Sequence, residues 1–291
     1  MRALIRDTEI FFDVDGASVV PDGLRMRERL TAFLVHGGPG TDHTGFKARY
    51  AGLKEKMQVT YFDHRGHGRS ACGNAQTYTL HENVEDMEAL RRYLGLKTIV
   101  SIGVSYGGMV AMAHAARYPG SVSHLILVAT AAHAGFMDRA KEIVAERGSS
   151  EQLAQYQELL AGRLNTSEKL RRYFEIMGPM YSLLYDDVRA KDALARAVYS
   201  PDALNQAWGP HGFLARLDLR PELNAITART LIIAGRHDWI CAPEFSEEIH
   251  RLISGSDLRI FEESAHQVGG DEPQALLDAV AGFLIYNERP R

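Results

Sequence analysis

A serine, an aspartate and a histidine carried by loops at strand ends could together make an activated nucleophile, and this 291-residue chain has one of each in that setting. The serine is Ser105, within Gly103-Val104-Ser105-Tyr106-Gly107. The stretch 98–118 around it reads as a short buried strand, a tight corner and a helix. The G-x-S-x-G spacing forces the serine onto a strand-to-helix turn that only small neighbours tolerate, and Gly103 and Gly107 are those neighbours. Gly108 lets the helix start pack closely on the sheet. That helix start aims unpaired N–H groups at any negative charge developing beside the serine oxygen. The bare pattern also occurs in ordinary turns. Here Ile99, Val100 and Ile102 before it and Met109, Val110, Met112 and Ala113 after it supply the strand and the apolar helix face that the chemistry requires.

The aspartate and histidine follow from strand ends. In a parallel sheet, reactive residues collect in loops at the carboxyl ends of the strands. Asp238 lies just past the apolar run 230–234, and His266 past the run 257–261. The order Ser105, Asp238, His266 suits a hydrolytic triad on such a sheet. His266 would accept the Ser105 proton and later return it to the leaving group, while Asp238 would hold the imidazole tautomer and stabilise the imidazolium. Turnover is then expected to fall as His266 protonates in acid. Among twelve histidines, His266 is singled out by its loop. His237 adjoins the acid, His250 is on a helix face, and His114 and His124 fall within core elements. Asp271 and Asp257 are rival acids, but neither ends a buried central strand. The oxyanion would be held by the N–H groups of Tyr106 and Gly38, with Gly37 as the neighbouring option. Attack gives an acyl-enzyme that water hydrolyses, so the chemistry needs no metal or organic cofactor.

The elements that must position these groups follow along the chain. Residues 9–13 and 18–27 read as two edge strands joined at Asp15-Gly16, the second broken by Pro21 and Gly23. A buried strand, 32–35, enters His36-Gly37-Gly38-Pro39-Gly40, whose histidine is expected to hydrogen-bond the loop. Strand 58–62 enters the loop 63–70, which contains Asp63, His64 and His67. These resemble metal ligands, but the loop reads better as a tight surface turn with Asp63 paired to Arg65 or Arg69. An amphipathic helix, 79–94, ends at Gly95, and a buried strand covers 124–129. Residues 133–212 show apolar stripes on charged helices and no strand pattern. Strand 230–234, helix 243–253, strand 257–261 and helix 273–286 close the chain. Alternating strands and helices predict an α/β class with a mostly parallel sheet covered on both faces. The core would be 1–132 and 213–291, with a helical cap inserted at 133–212.

Composition excludes other classes. Net charge is −4 with scattered basic residues, so neither a nucleic-acid groove nor binding to an anionic membrane is indicated. Cys72 and Cys241 are too few for a disulfide framework, which fits a reducing cytoplasm. No signal peptide is expected at the N-terminus, and no apolar stretch approaches the ~20 residues of a membrane helix. The expected partner is a small-molecule acyl substrate; nothing in the sequence bears on oligomeric state.

Four strings carry a family resemblance: His36-Gly37-Gly38-Pro39-Gly40, Asp63-His64-Arg65-Gly66-His67-Gly68-Arg69-Ser70, Gly103-Val104-Ser105-Tyr106-Gly107-Gly108 and Gly235-Arg236-His237-Asp238. The chain resembles the proline iminopeptidase-like family of α/β-hydrolases over 1–132 and 213–291, and hardly at all in the cap. The resemblance implies the α/β-hydrolase fold, Ser105, Asp238 and His266 as the triad, and iminopeptidase or related esterase or amidase activity. It also implies glutamates that grip a substrate amino terminus, one right after the triad aspartate and one late in the cap. Here the first position is Trp239, and Asn205-Gln206-Ala207-Trp208-Gly209 contains no acid. The leading expectation is therefore a serine hydrolase of small, largely uncharged esters, lactones or amides. Trp239, Trp208, Phe136, Tyr181 and Tyr185 would line an apolar pocket, although aromatics of this kind also serve as cap packing. An aminopeptidase using Glu175 or Asp186 is the runner-up. The third reading, a silent binding protein on the same scaffold, is opposed by the intact Ser105, Asp238 and His266.

Overall fold

The structure, a computed structural model, describes residues 1–285. Its elements are β1 (Arg2–Ile5), β2 (Thr8–Asp15), β3 (Val19–Asp22), β4 (Arg25–Glu28), β5 (Thr31–Val35), α1 (Thr44–Tyr50), β6 (Gln58–Phe62), α2 (Leu80–Tyr93), β7 (Ile99–Val104), α3 (Tyr106–Arg117) and β8 (Val122–Val128). Then come α4 (Gly135–Arg147), α5 (Ser150–Leu160), α6 (Ser167–Tyr181), α7 (Asp187–Arg196), α8 (Pro201–Trp208), β9 (Arg229–Gly235), α9 (Pro243–Leu252), β10 (Asp257–Phe261), α10 (Val268–Asp271) and α11 (Pro273–Ile285). The expected end of the last helix, Tyr286, lies outside the described residues.

The runs that read as continuous apolar strands are buried on both faces. Every residue of β5 and β7 is buried, as parallel strands covered by helices require. Eight strands form one sheet in the order β1-β2-β6-β5-β7-β8-β9-β10. From β6 to β10 the neighbours are parallel, and β1 and β2 join antiparallel at one edge. Side chains alternate between two cores. Phe33, Val35, Leu125 and Leu127 pack on one face, and Leu34, Val104, Ile126 and Ile233 on the other. α2 begins where Thr79 accepts a hydrogen bond from the Glu82 N–H, and it buries Val84, Met87 and Leu90 against the first core.

The N-terminus departs from the reading of two strands joined at Asp15-Gly16. β2 pairs with β1 and β6, whereas β3 and β4 pair only with each other, turning at Gly23. Of the two expected breaks only Gly23 divides the second run, while Pro21 stays within β3, paired with Met26. Gly16 is a bend wedged against the chain at Met57, where a Cβ would lie 2.8 Å from the carbonyl oxygen.

Between β8 and β9 the chain forms α4 to α8, which dock on the loops at the carboxyl ends of the strands. Ser200 N–H donates to the Gly40 carbonyl at 2.8 Å, and Gln267 N–H donates to the Tyr181 carbonyl at 2.8 Å. Ser182 Oγ donates to Asp271 at 2.5 Å. The helical excursion is thus pinned to the β5 loop on one side and to the His266 loop on the other.

Candidate active site

Ser105 occupies the corner between β7 and α3 with φ 55° and ψ −122°, a conformation that costs a non-glycine residue ~1–3 kcal/mol. Its surroundings hold it there. The Ser105 N–H donates to the Val128 carbonyl at 2.9 Å, and its carbonyl accepts from Gly108 N–H at 2.8 Å and Thr130 Oγ1 at 2.7 Å. The flanking glycines supply space. A Cβ on Gly107 would lie 2.0 Å from the Val35 carbonyl oxygen, so α3 can start this close to β5 only without one. With the helix start drawn in, Tyr106 is the first residue of α3, and the glycine loop after β5 comes up to the corner, where a Cβ on Gly37 would lie 3.0 Å from the Ser105 Cβ.

Asp238 and His266 meet. Gly235, the last residue of β9, comes so near the loop after β10 that a Cβ there would be 2.1 Å from the Ala265 carbonyl oxygen. His237 N–H donates to the Ser264 carbonyl at 2.9 Å. The two loops are thereby locked together, and His266 Nδ1 lies 2.8 Å from Asp238 Oδ2. The other Asp238 oxygen accepts from the N–H groups of Ile240 at 2.9 Å and Cys241 at 3.0 Å. A buried carboxylate acceptor assigns the proton to Nδ1 and leaves the Nε2 lone pair available. The imidazole is 8% exposed and stands edge-on to Tyr181, with centroids 5.5 Å apart.

Ser105, His266, Gly37 and Gly38 line one cavity of about 620 Å³ between the strand ends and the helical excursion. Gly38 has φ 118°, a left-handed value that turns the loop over Ser105. Of the aromatics expected to line the pocket, Trp208, Tyr181 and Tyr185 do. Phe136 and Trp239 do not, which corrects that expectation. Phe136 packs edge-on behind Trp208, and Trp239, 1% exposed, is sandwiched between Tyr156 and Tyr181. In the loop after β9 the Trp239 indole is taken up by this packing behind the wall, while its neighbour Ile240 lines the cavity. Asp186 lines the cavity; Glu175, ion-paired with Arg171 at 3.7 Å, does not. Sequence reading missed α1, whose Phe46 and Arg49 line the cavity, and also Asp42 and the α7 arginines. Its signal was the short segment 44–50 after the glycine loop, too brief for a clear period.

The loop 63–70 is buried, which corrects the reading of a surface turn. Asp63 pairs with neither arginine side chain. Its oxygens accept from His43 N–H at 2.9 Å, His43 Nδ1 at 2.8 Å and the Arg69 backbone N–H at 2.8 Å. Arg65 instead bonds Asp86, and Arg69 bonds Asp42. His36 hydrogen-bonds the Gly37 carbonyl at 2.8 Å and accepts from His64 N–H at 3.2 Å, holding the two loops together. Burial pushes His36, His64 and His67 below the ordinary imidazole range, His67 to about 3, so all three are neutral.

The sheet and the corner define an α/β-hydrolase, and residues 33–273 match the family model described as alpha/beta hydrolase fold. The chain belongs to this family and is a hydrolase. It is similar to proline iminopeptidase PfmaB of Pestalotiopsis fici, 29% identical over 94% of this chain and 98% of that relative. It is also similar to the proline iminopeptidase of Lactobacillus helveticus, 26% identical over 82% and 84% of the two chains. The solved proline iminopeptidase of Mycobacterium smegmatis shares the fold, with a TM-score of 0.77, 21% identity and coverage of 98% and 97%. Among the described residues no helix is long and apolar enough to cross a membrane.

Proposed function

We propose that this protein is a serine hydrolase of small esters, lactones or amides, with Ser105 as nucleophile, His266 as general base and acid, and Asp238 as its orienting partner. One observation carries the reading: His266 Nδ1 is 2.8 Å from a buried Asp238 oxygen, in the wall of the cavity that holds Ser105. With Nδ1 protonated, Nε2 takes the Ser105 proton as Oγ attacks the carbonyl carbon. The oxyanion is stabilised by the N–H groups of Tyr106 and of Gly38 or Gly37. The imidazolium returns its proton to the leaving group, and water repeats the sequence on the acyl-enzyme. Residues 133–212 act as the cap that closes the cavity over the substrate. Its volume suits a small molecule, within the ~300–1,000 Å³ typical of ligand sites.

A fluorophosphonate should label Ser105, and Ser105→Ala should lose both labelling and turnover, the latter by ~10⁴-fold or more, with an unchanged circular dichroism spectrum. Absence of labelling in the folded wild type overturns the reading. A second reading, an aminopeptidase, is favoured by the names of the relatives and by Asp186 as an acidic residue of the cavity lining. Proline p-nitroanilide turned over in preference to p-nitrophenyl esters of graded chain length would establish it over the first.

A further inference from the structure

Arg49 is a cation left over in the cavity wall. Elsewhere the buried guanidinium groups are matched: Arg65 by Asp86, and Arg91 by Glu88. Arg49 is half-buried and lines the cavity, yet among the described residues its side chain makes no hydrogen bond and no ion pair. A guanidinium removed from bulk water without an acceptor is unfavourable. Burial accordingly pulls it below the ordinary arginine range, although arginine stays charged. The acids around it are engaged. Asp271, the carboxylate that acts on it electrostatically, already accepts from Ser182 Oγ and the N–H groups of Ala265 and Leu184. Asp42 is held by Arg69, and Asp186 caps α7. Arg196 on the same wall is paired with Asp192, whereas Arg189, exposed on α7, forms no ion pair among the described residues.

The position of Arg49 relates it to the nucleophile. Phe46 Cζ lies 3.4 Å, and Ser105 Cβ 3.0 Å, from the point where a Cβ on Gly37 would stand, so the two flank one spot above the loop. Arg49 is three residues further along the same helix, on the same face and about 5 Å along its axis. Its guanidinium is bounded by Gly45 of α1 and Gly270 of α10, with Nη1 3.6 Å and Nε 3.8 Å from the Cβ positions those glycines lack. It therefore sits beside α10, which directly follows the loop that carries His266, in the wall of the cavity that Ser105 and His266 also line.

Resting on the reading of Ser105 as nucleophile, we propose that the substrate is a small ester, lactone or amide bearing a carboxylate a few atoms from the scissile carbonyl, and that Arg49 binds that carboxylate. Arg49 supplies a planar pair of donors that matches the two carboxylate oxygens, and Arg189 adds positive potential on the α7 side of the cavity. This replaces the sequence-based expectation of an uncharged substrate. Arg49 is a binding residue for specificity and takes no part in bond making or breaking.

The test compares matched p-nitrophenyl esters, neutral butyrate against the monoester of glutaric acid, and for a charge on the leaving side the butyrate ester of 4-hydroxybenzoate. The wild type should favour one of the anionic esters over the neutral one in kcat/KM. Arg49→Gln should lower that selectivity ratio by ~10- to 100-fold, chiefly through KM, and Arg49→Lys should retain part of it. Free glutarate should also bind calorimetrically to Ser105→Ala and fail to bind the Ser105→Ala, Arg49→Gln double variant. Turnover of the neutral ester without anionic preference, or a ratio unmoved by Arg49→Gln and Arg49→Lys, overturns the proposal while leaving the serine mechanism standing. Loss of fluorophosphonate labelling in the wild type overturns the mechanism instead, and the glutarate titration still decides whether Arg49 binds a carboxylate.

Discussion

At the scale of single residues, Ser105 carries backbone strain that the fold maintains for its position and not for stability. Alanine and serine suffer alike at φ 55° and ψ −122°, whereas glycine accepts such values. Ser105→Gly is therefore expected to be more stable than Ser105→Ala by ~1 kcal/mol, once the greater unfolded-state freedom of glycine is subtracted from the strain released. Paired urea melts of the two inactive variants measure this, and equal midpoints would mean the corner is not strained. At Asp238, one oxygen is fixed by two backbone N–H groups and the other faces His266. Asp238→Asn keeps the volume but presents either an amide nitrogen or a weaker acceptor to Nδ1, which frees the opposite tautomer. A fall in kcat of ~10⁴-fold is expected in steady-state assays, with the melting temperature little changed.

At the scale of elements, the site depends on how closely backbone approaches backbone. α3 begins against the end of β5 because Gly107 has no Cβ, and the hindering atom is a main-chain carbonyl that cannot swing aside. Gly107→Ala should cost ~3 kcal/mol or more, read as a lower urea midpoint or as insoluble protein. An alanine that left both stability and labelling intact would show that α3 has room to retreat. The same reasoning explains the N-terminal departure. Asp15-Gly16 has the composition of a hairpin turn, but its glycine accommodates the chain at Met57, and the turn between paired strands falls instead at Gly23. Composition identifies where a chain bends; the partner of each arm is set by long-range packing.

At the scale of the whole molecule, the buried histidines couple the loops under the site to pH. His36, His64 and His67 have folded-state values below the unfolded value of 6.5, from burial first. The unfolded chain then binds more protons than the folded one as pH falls below about 6.5, so stability declines in acid, by ~1.4 kcal/mol per pH unit for each histidine still neutral in the fold. Glu88 behaves differently. Burial opposes its ionisation, but hydrogen bonds from Arg91, His114 and Arg92 outweigh this and hold it below its unfolded value of 4.5. Its contribution is lost only below that pH. Urea unfolding between pH 6.5 and 4.5 thus isolates the histidines, and His67→Gln should flatten the slope by about one proton. An unchanged slope would mean that His67 protonates in the folded state.

Taken alone, the sequence determined the α/β class and the strand ends that carry Ser105, Asp238 and His266. Those features are written in contiguous residues: apolar runs, glycines where backbones must touch, and loops directly after them. β6 and β10 match their expected spans, and the short wedge residues of the corner occur where chain geometry demands them. Tertiary structure alone decided which side chains face the cavity. Trp239 stands next to Asp238 in the chain yet packs behind the wall, while Arg49, far from all three in sequence, enters it. Asp63 likewise has two arginines nearby in sequence and bonds His43 instead. The physical reason is that a strand end is a local property of the chain, whereas a cavity wall is the surface left after distant elements have packed, and no short stretch contains the information for that surface.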